Sequence, residues 1–314
     1  MGIEYAKVLK GMRVPFDVVG RSATSADAFE KAIGIKPFIG GLRSFLDEYR
    51  VEQGTQAIIA TGTEFLLHAI RLLVKSGVKE ILIEKPAAVS IEELIENEKE
   101  LKNLSGNFIV AYNRRFYQSV FTAEKLIQQD GGLKSLFFEF TEWSHSIENA
   151  PILDIVKSNW YFANSSHVVD TAFFLAGYPK TFYANAHEGQ SRWHKQMIFS
   201  GSGVTTNNVL FSYMANWESA GRWGIELLTN RRKIILRPME KLTVQERGSL
   251  EQKPFYIDDQ LDIDYKPGLW NQVEAFLNND HKRMLTLREH VMNAKYVHST
   301  VLNGGFMDMT GAAK

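Results

Sequence analysis

Over residues 1–115, short runs rich in valine and isoleucine alternate with longer stretches in which apolar residues recur at three- and four-residue spacing. Val14 to Gly20 (V-P-F-D-V-V-G), Thr55 to Thr61 (T-Q-A-I-I-A-T), Glu80 to Ile83 (E-I-L-I) and Asn107 to Tyr112 (N-F-I-V-A-Y) are short and aliphatic, and they are predicted to be buried strands. A helix is expected from about Glu64 to Lys75, stopping near Gly77, where glycine can take the left-handed conformation that ends many helices. Another is expected from Ser90 to Leu104. Ser90 and Glu93 have the spacing of a capping box, and Ile91, Leu94, Ile95, Leu101 and Leu104 fall on one face. This alternation of strand and helix predicts parallel βαβ units and hence a doubly wound sheet.

The rhythm changes after Gly131-Gly132. Leu133 to Trp143 is a long β-type run with Phe138 and Phe140 on one face and Glu139 and Thr141 on the other. A helix is expected from Ser165 to Leu175. Further β-type segments then follow with little helix between them: Thr181 to His187, Gln196 to Phe199, Thr205 to Tyr213, Gly224 to Leu228 and Lys233 to Leu236. Thr229 to Arg232 reads as the hairpin turn joining the last two. Strands in succession predict a largely antiparallel sheet within an α+β domain. Two helices close the chain, one from Gly268 that buries Trp270, Val273, Phe276 and Leu277, and one from the Thr286/Glu289 capping box through Val291, Ala294, Val297 and Val301. The expected organisation is a doubly wound domain over residues 1–115 and an α+β domain over residues 116–314.

Composition narrows the function classes. The 314 residues are 45% hydrophobic and 23% charged, enough apolar material for two ordinary domains. Lysine plus arginine equals aspartate plus glutamate at 36 each, so no net charge draws the chain to nucleic acid or an anionic membrane. There is no cysteine, which removes disulfides and thiolate chemistry and suits a cytoplasmic home. No apolar run reaches the roughly 20 residues of a membrane-spanning helix, and the first residues are too polar for a signal peptide. The eight histidines lack metal-ligand spacing, so no metal site is expected. Asp258, Asp259, Asp262 and Asp264 lack the spacing of a calcium loop and read as a solvated connection.

Candidate chemistry begins at Glu84-Lys85-Pro86, which follows the strand Ile81 to Ile83. Ligand crevices of open α/β sheets lie at the carboxyl ends of the strands, and a lysine partly buried there is suited to proton transfer. The stretch I-L-I-E-K-P-A-A-V-S, preceded by A-I-I-A-T-G-T and followed by V-A-Y-N-R-R-F, resembles the Gfo/Idh/MocA family of NAD(P)-dependent oxidoreductases over Gln56 to Phe116, and more weakly elsewhere. The resemblance implies a Rossmann-like cofactor domain and a second domain for substrate and oligomerisation. It implies Lys85 as the catalytic lysine, with Glu84 and Pro86 shaping the cofactor pocket beside Thr61. Family members carry D-x-G-x-H-x-x-D on a helix facing the nicotinamide. Here only the second half remains, placing His167 at the acid/base position and Asp170 as a holding residue, with Ala163 and Ser165 replacing the first aspartate and the glycine. An unperturbed imidazole exchanges protons in both directions near neutral pH. Arg114 and Arg115 match family arginines that could meet a cofactor phosphate or the substrate, while His68 falls two positions away from the family's histidine and reads as a helix-face residue.

The cofactor expected is NADP, with NAD as the alternative. Val18-Val19-Gly20 is followed by Arg21 and Ser22 and by no carboxylate that would repel a 2′-phosphate. The family opens with a strand and G-x-G-x-x-G, whereas this sequence opens directly on the helix that follows, so Gly2 corresponds to the third glycine. The strands at Val14 to Gly20 and Thr55 to Thr61 are therefore expected to flank a gap, and to close up, recruit another segment or leave edges exposed. The activity implied is hydride transfer between nicotinamide and a carbinol or carbonyl carbon of a sugar, nucleotide sugar or polyol, in a homodimer or homotetramer. The alternative is a catalytically silent relative serving as a ligand sensor or regulatory partner.

Overall fold

The computed structural model describes residues 1–310; the last four positions of the expected second domain lie outside the described residues. The chain divides into two compact units. One comprises Met1–Ala88, Glu96–Asn113 and Leu261–His290, and the other Val89–Ile95, Arg114–Gln260 and the chain from Val291 onward. The segment Leu261–His290, expected with the second half, groups with the first unit.

The first unit is α/β. Helix α1 (Gly2–Gly11) leads to β1 (Val19–Gly20), α2 (Ala23–Ile33), β2 (Phe38–Ile39), α3 (Gly41–Glu48), β3 (Gln56–Ile59), α4 (Leu66–Lys75), β4 (Glu80–Ile83) and β5 (Asn107–Val110). β3, β4 and β5 pair in parallel, and the short strand Leu285–Thr286 returns antiparallel to β5. Ile81, Leu82 and Ile83 are fully buried, as a strand covered on both faces should be. β1 and β2 pair only with each other, and no described strand lies beside β3 on the side away from β4. Among the described residues, the edge of β1 away from β2 and the edge of β3 away from β4 have no strand partner. This is why the predicted strand Val14 to Gly20 shrinks to Val19–Gly20. Its partner β2 is two residues long, and Phe16 and Val18 pack instead against Ala6, Phe29 and Ile33.

The predicted helix Ser90 to Leu104 is broken into Ile91–Glu96 and Glu98–Lys102. Its capping box forms, with the Glu93 amide donating to Ser90 Oγ at 3.2 Å and the Val89 amide to Glu93 Oε2 at 2.7 Å. The break falls at Asn97, whose side-chain oxygen accepts from Arg71 at 2.6 Å while the same guanidinium holds Glu100 at 2.8 Å. Gly11 permits the close approach of α1 to the returning segment: a Cβ there would collide with the rings of Tyr265 and Trp270.

The second unit is built on a nine-stranded sheet. Its strands are β6 (Ser135–Glu139), β7 (Pro179–Glu188), β8 (Gln196–Thr205), β9 (Leu210–Asn216), β10 (Gly224–Leu228), β11 (Arg232–Leu236), β12 (Thr243–Glu246) and β13 (Lys253–Pro254), with Gly305–Asp308 last. The order is β13-β12-β11-β10-β6-β9-β8-β7 and then Gly305–Asp308, antiparallel throughout except for β6 beside β9. Two expected ranges change. Leu133 to Trp143 is strand only over β6, because its continuation leads into the helix Ser144–Glu148. Thr205 belongs to the end of β8 and not to the following strand. Its amide bonds Val209 O at 3.0 Å and its hydroxyl bonds Ala176 O at 2.8 Å, so the turn to β9 starts there. The hairpin at Thr229 to Arg232 is as expected. On the inner face, Phe138, Phe140, Phe173, Phe199, Phe211 and Tyr213 form edge-on and stacked ring contacts that make up much of the core. The expected carboxylate cluster is not a bare connection: Asp259 pairs with Lys241 at 2.8 Å, and within the first unit Asp262 accepts from the Gly268 amide at 2.7 Å.

Candidate active site

In the first unit the backbone of β4 continues into a tight turn. The Glu84 amide still donates to Ile59 O at 2.9 Å, extending the β3–β4 ladder, and the Ala87 amide donates back to Glu84 O at 3.1 Å. Lys85 and Pro86 lie between these bonds, joined by a cis peptide. Ala87 has φ +68°, a conformation that costs a non-glycine residue of order 1–3 kcal/mol, and it is fully buried among its neighbours. His290 Nε2 donates to Pro86 O at 2.9 Å and thereby fixes the tautomer of that ring. The Tyr5 hydroxyl donates to Glu84 Oε1 at 2.7 Å, and both groups are buried. Burial raises the Glu84 pKa above the ordinary carboxylate range, opposed by the Tyr5 bond and the Lys85 ammonium. Burial and the Glu84 charge likewise raise the Tyr5 hydroxyl. The Lys85 side chain leaves this anchored turn half-buried.

The other first-unit candidates lie at the amino end of α1 and at the carboxyl ends of β1 and β3. Gly2 opens α1, no side chain caps that helix, and nothing stands within 4 Å of where a Gly2 Cβ would be. Ser22 is the N-cap of α2, accepting from the Ser25 amide at 3.4 Å and lying 2.9 Å from the Ser25 hydroxyl. The Arg21 guanidinium sits 4.1 Å over the Phe65 ring, which brings the turn after β1 to the turn after β3. Thr61 is exposed and its hydroxyl bonds Gly62 O at 3.2 Å. His68 lies on the exposed face of α4.

The second unit holds His167 near the start of the helix Ser166–Ala176, directly after a π-helical turn over Tyr161–Ser165. His167 is buried, its ring 6.5 Å from that of Trp223. Asp170, one turn along, takes a two-pronged bond from Arg115, Nε at 2.8 Å and Nη2 at 2.6 Å, and the same Nη2 reaches the Tyr178 hydroxyl at 3.1 Å. Arg115 is therefore committed to the helix that carries His167. Arg114 lies with its guanidinium 4.5 Å over Trp223 and 5.9 Å from Tyr117.

Sequence reasoning missed Tyr5, His290 and Glu142. Glu142 lies just past the end of β6 and is 1% exposed; it accepts from the Ser165 hydroxyl at 2.7 Å, Asn164 Nδ2 at 2.9 Å and Arg222 Nη1 at 3.1 Å. Burial raises its pKa, against the bonds from Ser165, Arg222 and Asn164. This carboxylate grips the turn that holds Asn164 and Ser165, next to Ala163. No short motif announces it, because its partners lie 22, 23 and 80 residues away. Among the described residues no group of three or more His, Asp or Glu side chains is placed to hold a metal ion, and no helix is long and apolar enough to cross a membrane.

No protein-family model matches the chain, and no curated protein matches it in sequence. Solved structures match in fold. Levoglucosan dehydrogenase, in complex with NADH and levoglucosan, superposes with TM-score 0.76 at 17% identity, covering 99% of this chain and 96% of that one. An oxidoreductase from Agrobacterium radiobacter, in complex with NAD+, L-tartaric acid and magnesium, gives 0.75 at 14% identity over 99% and 96%. UDP-N-acetylglucosamine 3-dehydrogenase from Acidithiobacillus ferrooxidans gives 0.68 at 15% identity over 96% and 94%. The chain therefore has, over nearly its whole length, the two-part fold of these dehydrogenases.

Proposed function

We propose that the chain is an NAD(P)-dependent oxidoreductase that transfers a hydride between nicotinamide and a carbinol or carbonyl carbon of a sugar, nucleotide sugar or polyol. The observation that carries this reading is the Glu84-Lys85-Pro86 turn. It places a half-buried lysine at the carboxyl end of a buried parallel strand, in a fold whose solved examples include sugar dehydrogenases with NADH bound. When bound, the nicotinamide supplies the hydride chemistry. Gly2, Arg21, Ser22, Thr61, Glu84, Lys85 and Pro86 are the residues we assign to holding it, with Arg114 at a phosphate or at the substrate. We assign Lys85 to moving the proton of the substrate hydroxyl, and His167 to an acid/base role. Both are cationic acids when protonated, so each can give the proton up as an alkoxide forms.

Arg21 favours NADP over NAD, although Ser22 spends its hydroxyl on the α2 cap. The outward face of the large sheet supports a homodimer or homotetramer. Tyr183 and Phe306, 64% and 53% exposed, stack there at 4.4 Å beside exposed Ile198, Leu210 and Met214. The cysteine-free composition fits a cytoplasmic setting.

One set of assays tests the reading: NADH or NADPH formation with a panel of sugars for the wild type, Lys85→Met and Arg21→Ala. Lys85→Met should lower turnover by roughly two orders of magnitude. Arg21→Ala should weaken NADP roughly ten- to a hundred-fold. Unchanged turnover in the first variant removes the mechanism, and tighter binding of NAD than of NADP by the wild type removes the cofactor preference.

A further inference from the structure

Trp223 gathers two guanidinium groups. Arg114 lies 4.5 Å and Arg222 4.9 Å from its ring centroid, so both cations share one indole. Arg222 is also 4.9 Å from Trp143, whose indole N–H is held by Gly221 O at 3.1 Å. Among the described residues the single carboxylate paired with this group is Glu142, 3.1 Å from Arg222 Nη1. Among the described residues Arg114 has no carboxylate or carbonyl partner; its contacts are with the faces of Trp223 and Tyr117. A cation–π contact uses the charge of a guanidinium and leaves its N–H donors unspent. The Trp223 indole N–H is also buried without an acceptor among the described residues, in a residue only 7% exposed. Two guanidinium charges against one carboxylate, together with a buried donor lacking an acceptor, describe a receptor that is short of one anion.

We propose that Arg114, Arg222 and Trp223 bind an oxyanion carried by the substrate, so that the preferred substrate is an acidic sugar derivative rather than a neutral one. The inference rests on the oxidoreductase reading and names the substrate class of its second-unit half. Arg114 supplies the unneutralised charge, Arg222 is oriented by Glu142 and the two indoles, and Trp223 supplies one uncharged donor. Glu142 has a second role, since its negative charge beside Arg222 disfavours an anion there and leaves Arg114 as the stronger pole. A carboxylate and a phosphate ester share this acceptor chemistry, and the experiment separates them.

Affinities are measured by calorimetry, without cofactor, for glucose, galactose and mannose, for the corresponding uronates, and for the hexose 1-phosphates and UDP-glucose. At least one anionic ligand should bind ten-fold or more tighter than its neutral parent, with the advantage shrinking as salt is raised. A uronate in that place identifies a carboxylate receptor, and a phosphate ester or UDP-glucose a phosphate receptor. Arg114→Ala, which strands no buried carboxylate, should lower the anionic-to-neutral affinity ratio roughly ten-fold or more, and Trp223→Phe by a smaller factor. Equal affinity for charged and neutral members overturns the proposal. So does an Arg114→Ala variant that changes NADP affinity while leaving the sugar ratio intact, which would assign Arg114 to the cofactor. The two readings fail separately. Selective anion binding without NAD(P)-linked turnover keeps the receptor and removes the oxidoreductase, whereas turnover of neutral sugars with no gain from charge removes only the receptor.

Discussion

Glu84 and Glu142 are carboxylates whose burial raises their pKa, and each answers its desolvation with hydroxyl, amide or guanidinium donors. A folded-state pKa above the unfolded one means that the fold holds more protons through the interval between them. Stability is then fully present below the ordinary carboxylate range and falls as pH rises through the raised value. Glu84→Gln keeps an oxygen for the Tyr5 hydroxyl and removes the charge, so its melting point should fall less than that of the wild type between mildly acidic and neutral pH. Tyr5→Phe leaves the carboxylate without that donor. It should cost about 1–3 kcal/mol and steepen the same fall. Thermal melts across that range check both, and an unchanged slope in Glu84→Gln would falsify the assignment. Lys85 stands out in the sequence because it follows a run of aliphatics that ends at Ile83, and its role is what the Lys85→Met assay tests. Tyr5 does not stand out, since its bond to Glu84 spans 79 residues and only the assembled sheet brings the two together.

At the scale of elements, type was legible and extent was not. β4 and β10 match their predicted ranges because their aliphatic runs end where their partners end. Val14 to Gly20 fails because strand length is set by a neighbour, which a single segment cannot encode. The helix Ser166–Ala176 shows the same dependence. Its pattern predicted a helix and its Asp170 a holding residue, but the holder's partner is Arg115, from the motif N-R-R-F. Although burial pulls the Arg115 pKa down, the Asp170 carboxylate and the Tyr178 hydroxyl raise it overall, so the guanidinium stays charged. Removing one member of a buried pair strands the other, and Asp170→Ala should lower unfolding free energy by about 3–5 kcal/mol. The double variant Arg115→Met/Asp170→Leu should recover much of that loss. Denaturant melts decide it; a double variant as unstable as Asp170→Ala would show that the pair does more than neutralise charge.

At the scale of the whole molecule, the sequence gives two halves, whereas the chain interleaves them by sending Leu261–His290 back to the first unit. No local pattern encodes that return, since a helix and a two-residue strand read alike in either unit. The exposed Tyr183–Phe306 stack on the large sheet is the basis for expecting self-association. Light scattering at micromolar concentration should find a dimer or tetramer, and Tyr183→Asp/Phe306→Ser should yield monomers; a monomeric wild type overturns this.

The unpaired edges of β1 and β3 have a consequence for cooperativity. Among the described residues no backbone ladder joins the α1–β1–α2–β2 segment to the four-stranded sheet, so side-chain ties such as Tyr5 to Glu84 and the close approach at Gly11 couple them instead. A segment coupled in that way behaves as its own foldon. Its amides should exchange through a sub-global opening that leaves β4 and β5 protected. Deprotonation of Glu84 strengthens its bond from Tyr5 but leaves a charge buried at that tie, so raising the pH should ease this opening, and the first unit should loosen from its amino-terminal side before its buried strands come apart.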